Sequence, residues 1–161
     1  MHPWLSYQNL LDNYVASSSI PSQYWKEYAL GRSSIGNLIP KETSVVQALE
    51  KTGQFKLQNL TSFSLRVPTS IVSSSIINFN ISDEQKFKIN KNTIENYFSN
   101  KKYVHLSYDS KVSSDFKKSY YACSIDMNFL KISKKTLSFL IWYDNEAGYV
   151  SQIINSIKRI L

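Results

Sequence analysis

Between Val104 and Tyr143 the chain carries four short runs rich in β-branched and aromatic residues, at 104–108, 120–126, 129–133 and 136–143. Runs of this length, separated by Ser, Lys, Asn and Asp, read as strands, the last three in meander-like succession. Directly after them Val150, Ile153, Ile154, Ile157, Ile160 and Leu161 recur at helical spacing along one stripe. Lys158 and Arg159 suit the negative end of that helix's dipole. Strands that close on an amphipathic C-terminal helix predict an α+β fold, an antiparallel-rich mixed sheet covered by a few helices.

The upstream half fits the same class. Phe63-Ser64-Leu65-Arg66-Val67 alternates, which puts Arg66 on the face opposite its apolar neighbours. Residues 71–81 are rich in Ile, Val and Phe and read as a second strand, and 92–102 as a helix with Ile94, Tyr97 and Phe98 on one face. Val45, Val46, Ala48 and Leu49 predict a short helix, with Thr43 and Ser44 as hydroxyl caps and Gly53 as its stop. Residues 1–40 lack periodicity and hold Ser17-Ser18-Ser19, Pro21, Gly31, Gly36 and Pro40, so they predict a long N-terminal loop. The expectation is one domain over 1–161, loop-rich over 1–40, with sheet and helices over 41–161.

Composition removes whole classes. Of the 161 residues, 42% are hydrophobic and 14% aromatic, too many for a disordered chain. No apolar run approaches the roughly 18 residues of a membrane span. Met1-His2-Pro3-Trp4 opens without a basic region and apolar stretch, so no secretory signal is predicted. Cys123 is the single cysteine, which forbids an internal disulfide and suits a reducing compartment. Asn59 and Asn80 head glycosylation-type triplets that carry little weight without such a signal. The formal charge of +7 raises the possibility of a polyanion- or RNA-binding module. The lysines, however, come as scattered pairs (Lys101-Lys102, Lys117-Lys118, Lys134-Lys135) that suit a solvated surface. No G-x-G-x-x-G unit occurs, so these residues cannot build a dinucleotide site in the usual way.

Among residues able to do chemistry, Arg66 stands just before Pro68, where its guanidinium could clamp a phosphate. Thr43 and Ser44 at a helix start offer hydroxyl and backbone donors, and Arg32 is a further candidate for the same anion site. His105 lies on a strand and reads as solvent-facing, while His2 sits at the terminus. Asp144 to Tyr149 reads as a turn with an acidic helix start.

Four strings go beyond these patterns. Trp142-Tyr143-Asp144-Asn145-Glu146-Ala147-Gly148-Tyr149 resembles the WYDNExGY signature of the glyceraldehyde-3-phosphate dehydrogenase family's catalytic domain. Leu65-Arg66-Val67-Pro68-Thr69 is similar to its FRVPT segment, and Val112-Ser113-Ser114-Asp115-Phe116 to its VSSDF segment. Asn37-Leu38-Ile39-Pro40 with Thr43 resembles its NIIP-x-x-T stretch. Gln8 and Asp12 stand at the family's distances from His2, so the resemblance makes His2 the catalytic imidazole that pairs with a nucleophilic thiol. It makes Arg66 and Thr43 ligands of substrate and inorganic phosphate, Asn145 the partner of the nicotinamide carboxamide, and Tyr149 a neighbour of that ring. It also implies a subunit-contact loop over about 5–35, NAD or NADP as cofactor, a homotetramer, a sugar-phosphate aldehyde as substrate and a cytoplasmic, glycolytic setting.

The departures are specific. The Ser-Cys-Thr-Thr-Asn-type nucleophile motif is absent, and Tyr121-Ala122-Cys123-Ser124 does not match it, so Cys123 reads as a packed structural residue. Ser44 replaces a glycine, Leu5 a phosphate-contacting threonine, Gln47 a lysine, and Ala147 a bulkier residue. The expectation is therefore a catalytic-domain portion that is inactive alone and completed by a nucleotide-binding half, fused or separate.

Overall fold

The computed structural model describes residues 35–52, 60–69, 71–81 and 89–161. His2, Arg32, Gly53 and most of the N-terminal loop assigned to 1–40 lie outside them. The chain divides into two compact units, residues 1–70 and 71–161.

In the first unit β1 (Ile39–Lys41) pairs antiparallel with β2 (Ser64–Arg66), Ile39 facing Arg66 and Lys41 facing Ser64. The ribbon thus joins the Asn37–Pro40 stretch to the Leu65–Thr69 segment. β1 is invisible to pattern reading because Pro40 sits at its middle, where a proline is tolerated only in an edge-type ladder. α1 (Val45–Lys51) follows. Ser44 occupies its N-cap, but its hydroxyl makes no cap hydrogen bond, contrary to the expected hydroxyl cap. The last turn is closed instead by the Thr52 hydroxyl donating to the Leu49 carbonyl at 2.7 Å.

The second unit is the α+β body. Its sheet runs in the order β3 (Ser73–Asn80), β7 (Thr136–Tyr143), β5 (Cys123–Asp126), β4 (Val104–Ser107). β7 pairs antiparallel with β3 along its full length. Its other edge is shared: β6 (Lys131–Ile132) takes Leu137 and Ser138, and β5 takes Ile141 and Trp142. β4 joins β5 in parallel, with α2 (Lys91–Ser99) earlier in the chain. The meander expected of the last three strands is met only in the β6–β7 pair: β5 pairs with β7 rather than with β6, and with β4 in parallel.

Ile94, Ile125, Met127, Leu137 and Phe139 form the buried core, with Phe98 edge-on to Phe139 at 6.0 Å. Ile94 comes from the face of α2 that periodicity predicts, and Asn90 caps that helix by accepting from the Thr93 N–H at 2.9 Å. His105 is half-buried rather than solvent-facing, stacked on the Tyr121 ring at 5.1 Å. Burial first, and then the Lys111 charge, lowers its pKa against a smaller opposing pull from Asp109.

α3 (Ala147–Ile160) reverses the expected facing. Its apolar stripe is open: Val150, Ile153, Ile154 and Ile157 are 43–51% exposed. The face that docks is small and polar. Gly148 packs against the Tyr121 carbonyl, Gln152 donates to the Tyr120 carbonyl at 3.3 Å, and Arg159 donates to the Tyr103 hydroxyl at 2.8 Å. These positions lie four and eleven residues along from Gly148, one helical row.

A Cβ at Gly148 would stand 2.6 Å from the Tyr121 carbonyl oxygen, a backbone atom that cannot swing aside. Gly148→Ala is expected to cost about 1–3 kcal/mol in urea unfolding, as overpacking does. An unchanged midpoint would mean that α3 does not dock through this glycine. Because folding lowers the His105 pKa, the unfolded chain takes the proton first on acidification. Stability is then full above pH 6.5, the ordinary value, and falls as pH drops towards the folded-state pKa. His105→Gln is expected to flatten the fall of the urea midpoint between about pH 7.5 and 5.5.

Candidate functional site

The segment Trp142–Tyr149 spans the end of β7 and the start of α3, and its residues divide into two sets. Trp142, Asp144 and Gly148 build the junction. The Trp142 ring stacks on Phe116 at 5.4 Å with an interplanar angle of 10°, and its Nε1–H donates to Asp126 at 3.2 Å. Asp126 is 1% exposed and also accepts from the Asn128 N–H at 3.1 Å, so this buried carboxylate has one partner on β7 and one in the turn that follows β5.

Asp144 does the capping of α3. Its Oδ1 accepts from the backbone N–H groups of Glu146 and Ala147, both at 2.9 Å, and its Oδ2 accepts from the Lys118 N–H at 2.8 Å. Lys118 adopts φ 63°, a left-handed conformation that turns its N–H to this carboxylate. The preceding 3-10 turn, Ser113–Phe116, is held by Asp115, which accepts from the Val112 N–H at 2.8 Å. Periodicity gave no sign of that turn, since four residues are too few to show a period. The Val112–Phe116 and Trp142–Tyr149 strings, far apart in sequence, are thus one packed unit.

Asn145 and Tyr149 are what this frame presents. Asn145 donates its Nδ2–H to the Ser73 hydroxyl at 2.7 Å. Tyr149 is 67% exposed in the first turn of α3. Ser73 is 2% exposed and opens β3, directly after Val72, whose φ of 62° is a genuine strain for a β-branched residue. Such a conformation costs about 1–3 kcal/mol and persists only where its surroundings hold it. Sequence reasoning missed Ser73; a serine within Ser73-Ser74-Ser75 has no pattern that distinguishes it. Burial raises the pKa of Tyr143, whose hydroxyl bonds Ser73 and lies 3.2 Å from Ser75.

In the first unit Arg66 is 6% exposed, with Ile39, its cross-strand partner, at 3%. The alternation of 63–67 is real, but the facing is the opposite of a polar surface: Phe63 is 76% exposed and Arg66 is inside. Thr43 lies between β1 and α1, half-buried. The ribbon register places Arg66 at the Ile39 end of the ladder, while the chain reaches Thr43 from the Lys41 end. His2 and Arg32 lie outside the described residues. Cys123 is half-buried and burial raises its thiol pKa, the opposite of an activated nucleophile. Among the described residues no group of three or more His, Cys, Asp or Glu could hold a metal, and no helix is long and apolar enough to cross a membrane.

Comparison with known proteins agrees with this frame. The family model for "Glyceraldehyde 3-phosphate dehydrogenase, C-terminal domain" matches residues 8–145. Glyceraldehyde-3-phosphate dehydrogenase 1 of Kluyveromyces lactis and glyceraldehyde-3-phosphate dehydrogenase 3 of Saccharomyces cerevisiae are each 28% identical over 138 residues. The cytosolic glyceraldehyde-3-phosphate dehydrogenase of Craterostigma plantagineum is 30% identical over the same length. The yeast matches take in 84% of this chain but 42% of the relatives, so the chain spans less than half the length of the curated proteins it matches. With the match covering most of its length, this chain belongs to the family of glyceraldehyde 3-phosphate dehydrogenase C-terminal domains.

Proposed function

We propose that this chain is the catalytic-domain portion of an NAD(P)-dependent aldehyde-phosphate dehydrogenase, without turnover by itself and completed by a nucleotide-binding half, fused or separate. The observation that carries the reading is the junction at the start of α3. Asn145 is held there with a side-chain amide group to offer, beside a helix whose apolar stripe, Val150 to Ile157, is left open. A stripe of that kind on a 14-residue helix fits coverage by a further apolar surface.

The residues present fit a nicotinamide group. With Nδ2 given to Ser73, Asn145 keeps its Oδ1 as an acceptor for a carboxamide N–H. A bound nicotinamide cofactor would supply the hydride acceptor. Asn145 would orient the ring and Tyr149 would pack near it. Arg66 and Thr43, with Arg32, would bind the phosphates of a sugar-phosphate aldehyde and inorganic phosphate. His2 would keep the partner half's thiol as thiolate and move the proton during oxidation and acyl release. The product class is an acyl phosphate, the complete enzyme a homo-oligomer, and the setting glycolytic and cytoplasmic, in keeping with a relative named as cytosolic.

The purified 161-residue chain is expected to give no aldehyde-dependent NADH. Mixing in a nucleotide-binding half that carries the Ser-Cys-Thr motif is expected to restore it. Turnover by the chain alone, or none on mixing, would overturn the reading. Steeply salt-dependent RNA binding without complementation would favour the polyanion alternative instead. In the restored enzyme, Arg66→Ala is expected to raise the KM for inorganic phosphate about tenfold or more, the loss of one charge-assisted contact. Cys123→Ala should leave kcat unchanged, since a thiol made less acidic by burial takes no part.

A further inference from the structure

The start of β3 holds a polar relay that none of the assigned roles uses. Ser73 is almost wholly buried, and its hydroxyl is the acceptor for the Asn145 amide at 2.7 Å. The same hydroxyl bonds the Tyr143 hydroxyl, which in turn lies 3.2 Å from the Ser75 hydroxyl. Ser73 and Tyr143 are also direct cross-strand partners in the β3–β7 ladder, so backbone pairing fixes the relay's spacing. A hydroxyl that accepts from Asn145 still has one proton to give, and Tyr143 is there to take it. The Ser75 hydroxyl completes the relay on the far side of Tyr143, where either hydroxyl can be the donor.

An asparagine amide can rotate half a turn at little intrinsic cost and exchange its oxygen for its nitrogen. At an exposed position both orientations coexist. Here the turn would cost the bond to Ser73 unless the Ser73 hydroxyl reversed and gave up its donation to Tyr143. We propose that Ser73 is the positioning residue for Asn145: by taking the Nδ2–H it holds Oδ1 outward and makes the position selective for a ligand that donates a primary-amide N–H over one that only accepts. The strained φ of Val72 fits this role, because it sets the direction in which the chain enters β3 and so where the Ser73 hydroxyl stands.

The selectivity rests on the proposed function of Asn145, whereas the orientation itself does not, and two measurements separate them. The first needs no cofactor. Hydrogen exchange of the Asn145 side-chain amide, followed by NMR in the 161-residue chain, is expected to be slowed in wild type. It should quicken about tenfold in Ser73→Ala and stay near wild type in Ser73→Thr, which restores the hydroxyl. Backbone protection at Phe139 serves as the control that the sheet remains formed. Equal exchange in wild type and Ser73→Ala, or loss of protection in Ser73→Thr with Phe139 still protected, would overturn the assignment. The second uses the enzyme restored by mixing. Ser73→Ala should raise the KM for NAD about tenfold with kcat nearly held, and Ser73→Thr should reverse it. An exchange pattern that follows Ser73 together with an unmoved KM in both Ser73→Ala and Asn145→Ala would refute the nicotinamide role of Asn145 and uphold the orientation.

Discussion

The Asp144 carboxylate is the interaction on which the second unit's functional end depends. One oxygen accepts two N–H groups of the first turn of α3, and the other accepts the N–H of Lys118. Helix termini leave unpaired N–H donors, and an anion there both satisfies them and meets the positive end of the dipole. The third bond makes this more than a cap, because it ties the helix start to the loop after Phe116. The 3-10 turn before that loop ends on Phe116, the ring on which Trp142 stacks, and Trp142 reaches down to Asp126 in the sheet. Helix, loop and sheet edge therefore share one anchor. Asn145 is the next residue along, and its position inherits the rigidity of its neighbour.

That anchor also explains why α3 can dock through a polar face. A helix held only by packing must bury its apolar stripe. This one is fixed at its start by three charge-assisted bonds, and further along by Gln152 and Arg159 with tyrosine oxygens as partners. Gly148 allows the close approach to the Tyr121 carbonyl that brings these groups within reach. Arg159 also stands over the Tyr103 ring at 5.4 Å, which adds a contact of cation and aromatic face. The apolar stripe is released from internal duty and remains available to another surface.

The strands of the second unit were legible because period two and β-branched composition act together over 104–143, and α2 because Ile94 and Phe98 repeat on one face. The fold class followed from these. Facing was less legible. Arg66 alternates with apolar neighbours as read, yet it is the arginine that is inside and Phe63 that is open. The α3 stripe is helical as read, yet it points outward. In both cases periodicity reports which residues share a face and says nothing of what covers that face. Polarity normally supplies the missing sign, and it fails where a cationic side chain is buried, as at Arg66, or an apolar stripe is left open, as on α3. β1 and the turn at Ser113–Phe116 escaped because three or four residues with a proline or a cap show no period.

Ser73 shows the same limit at the site. The four strings that resemble the family locate Asn145, but they say nothing of which way its amide faces. That is decided by a hydroxyl 72 positions away along the chain, brought near by the β3–β7 ladder. The ladder's register is itself set by the apolar pattern of β7, where Leu137 and Phe139 must point into the core. A slip of one residue would move Ser73 from Tyr143 to the other face of the sheet and leave Asn145 without its acceptor. The burial of two core side chains at one end of β7 therefore determines the hydrogen-bonding polarity of a side chain just beyond its other end.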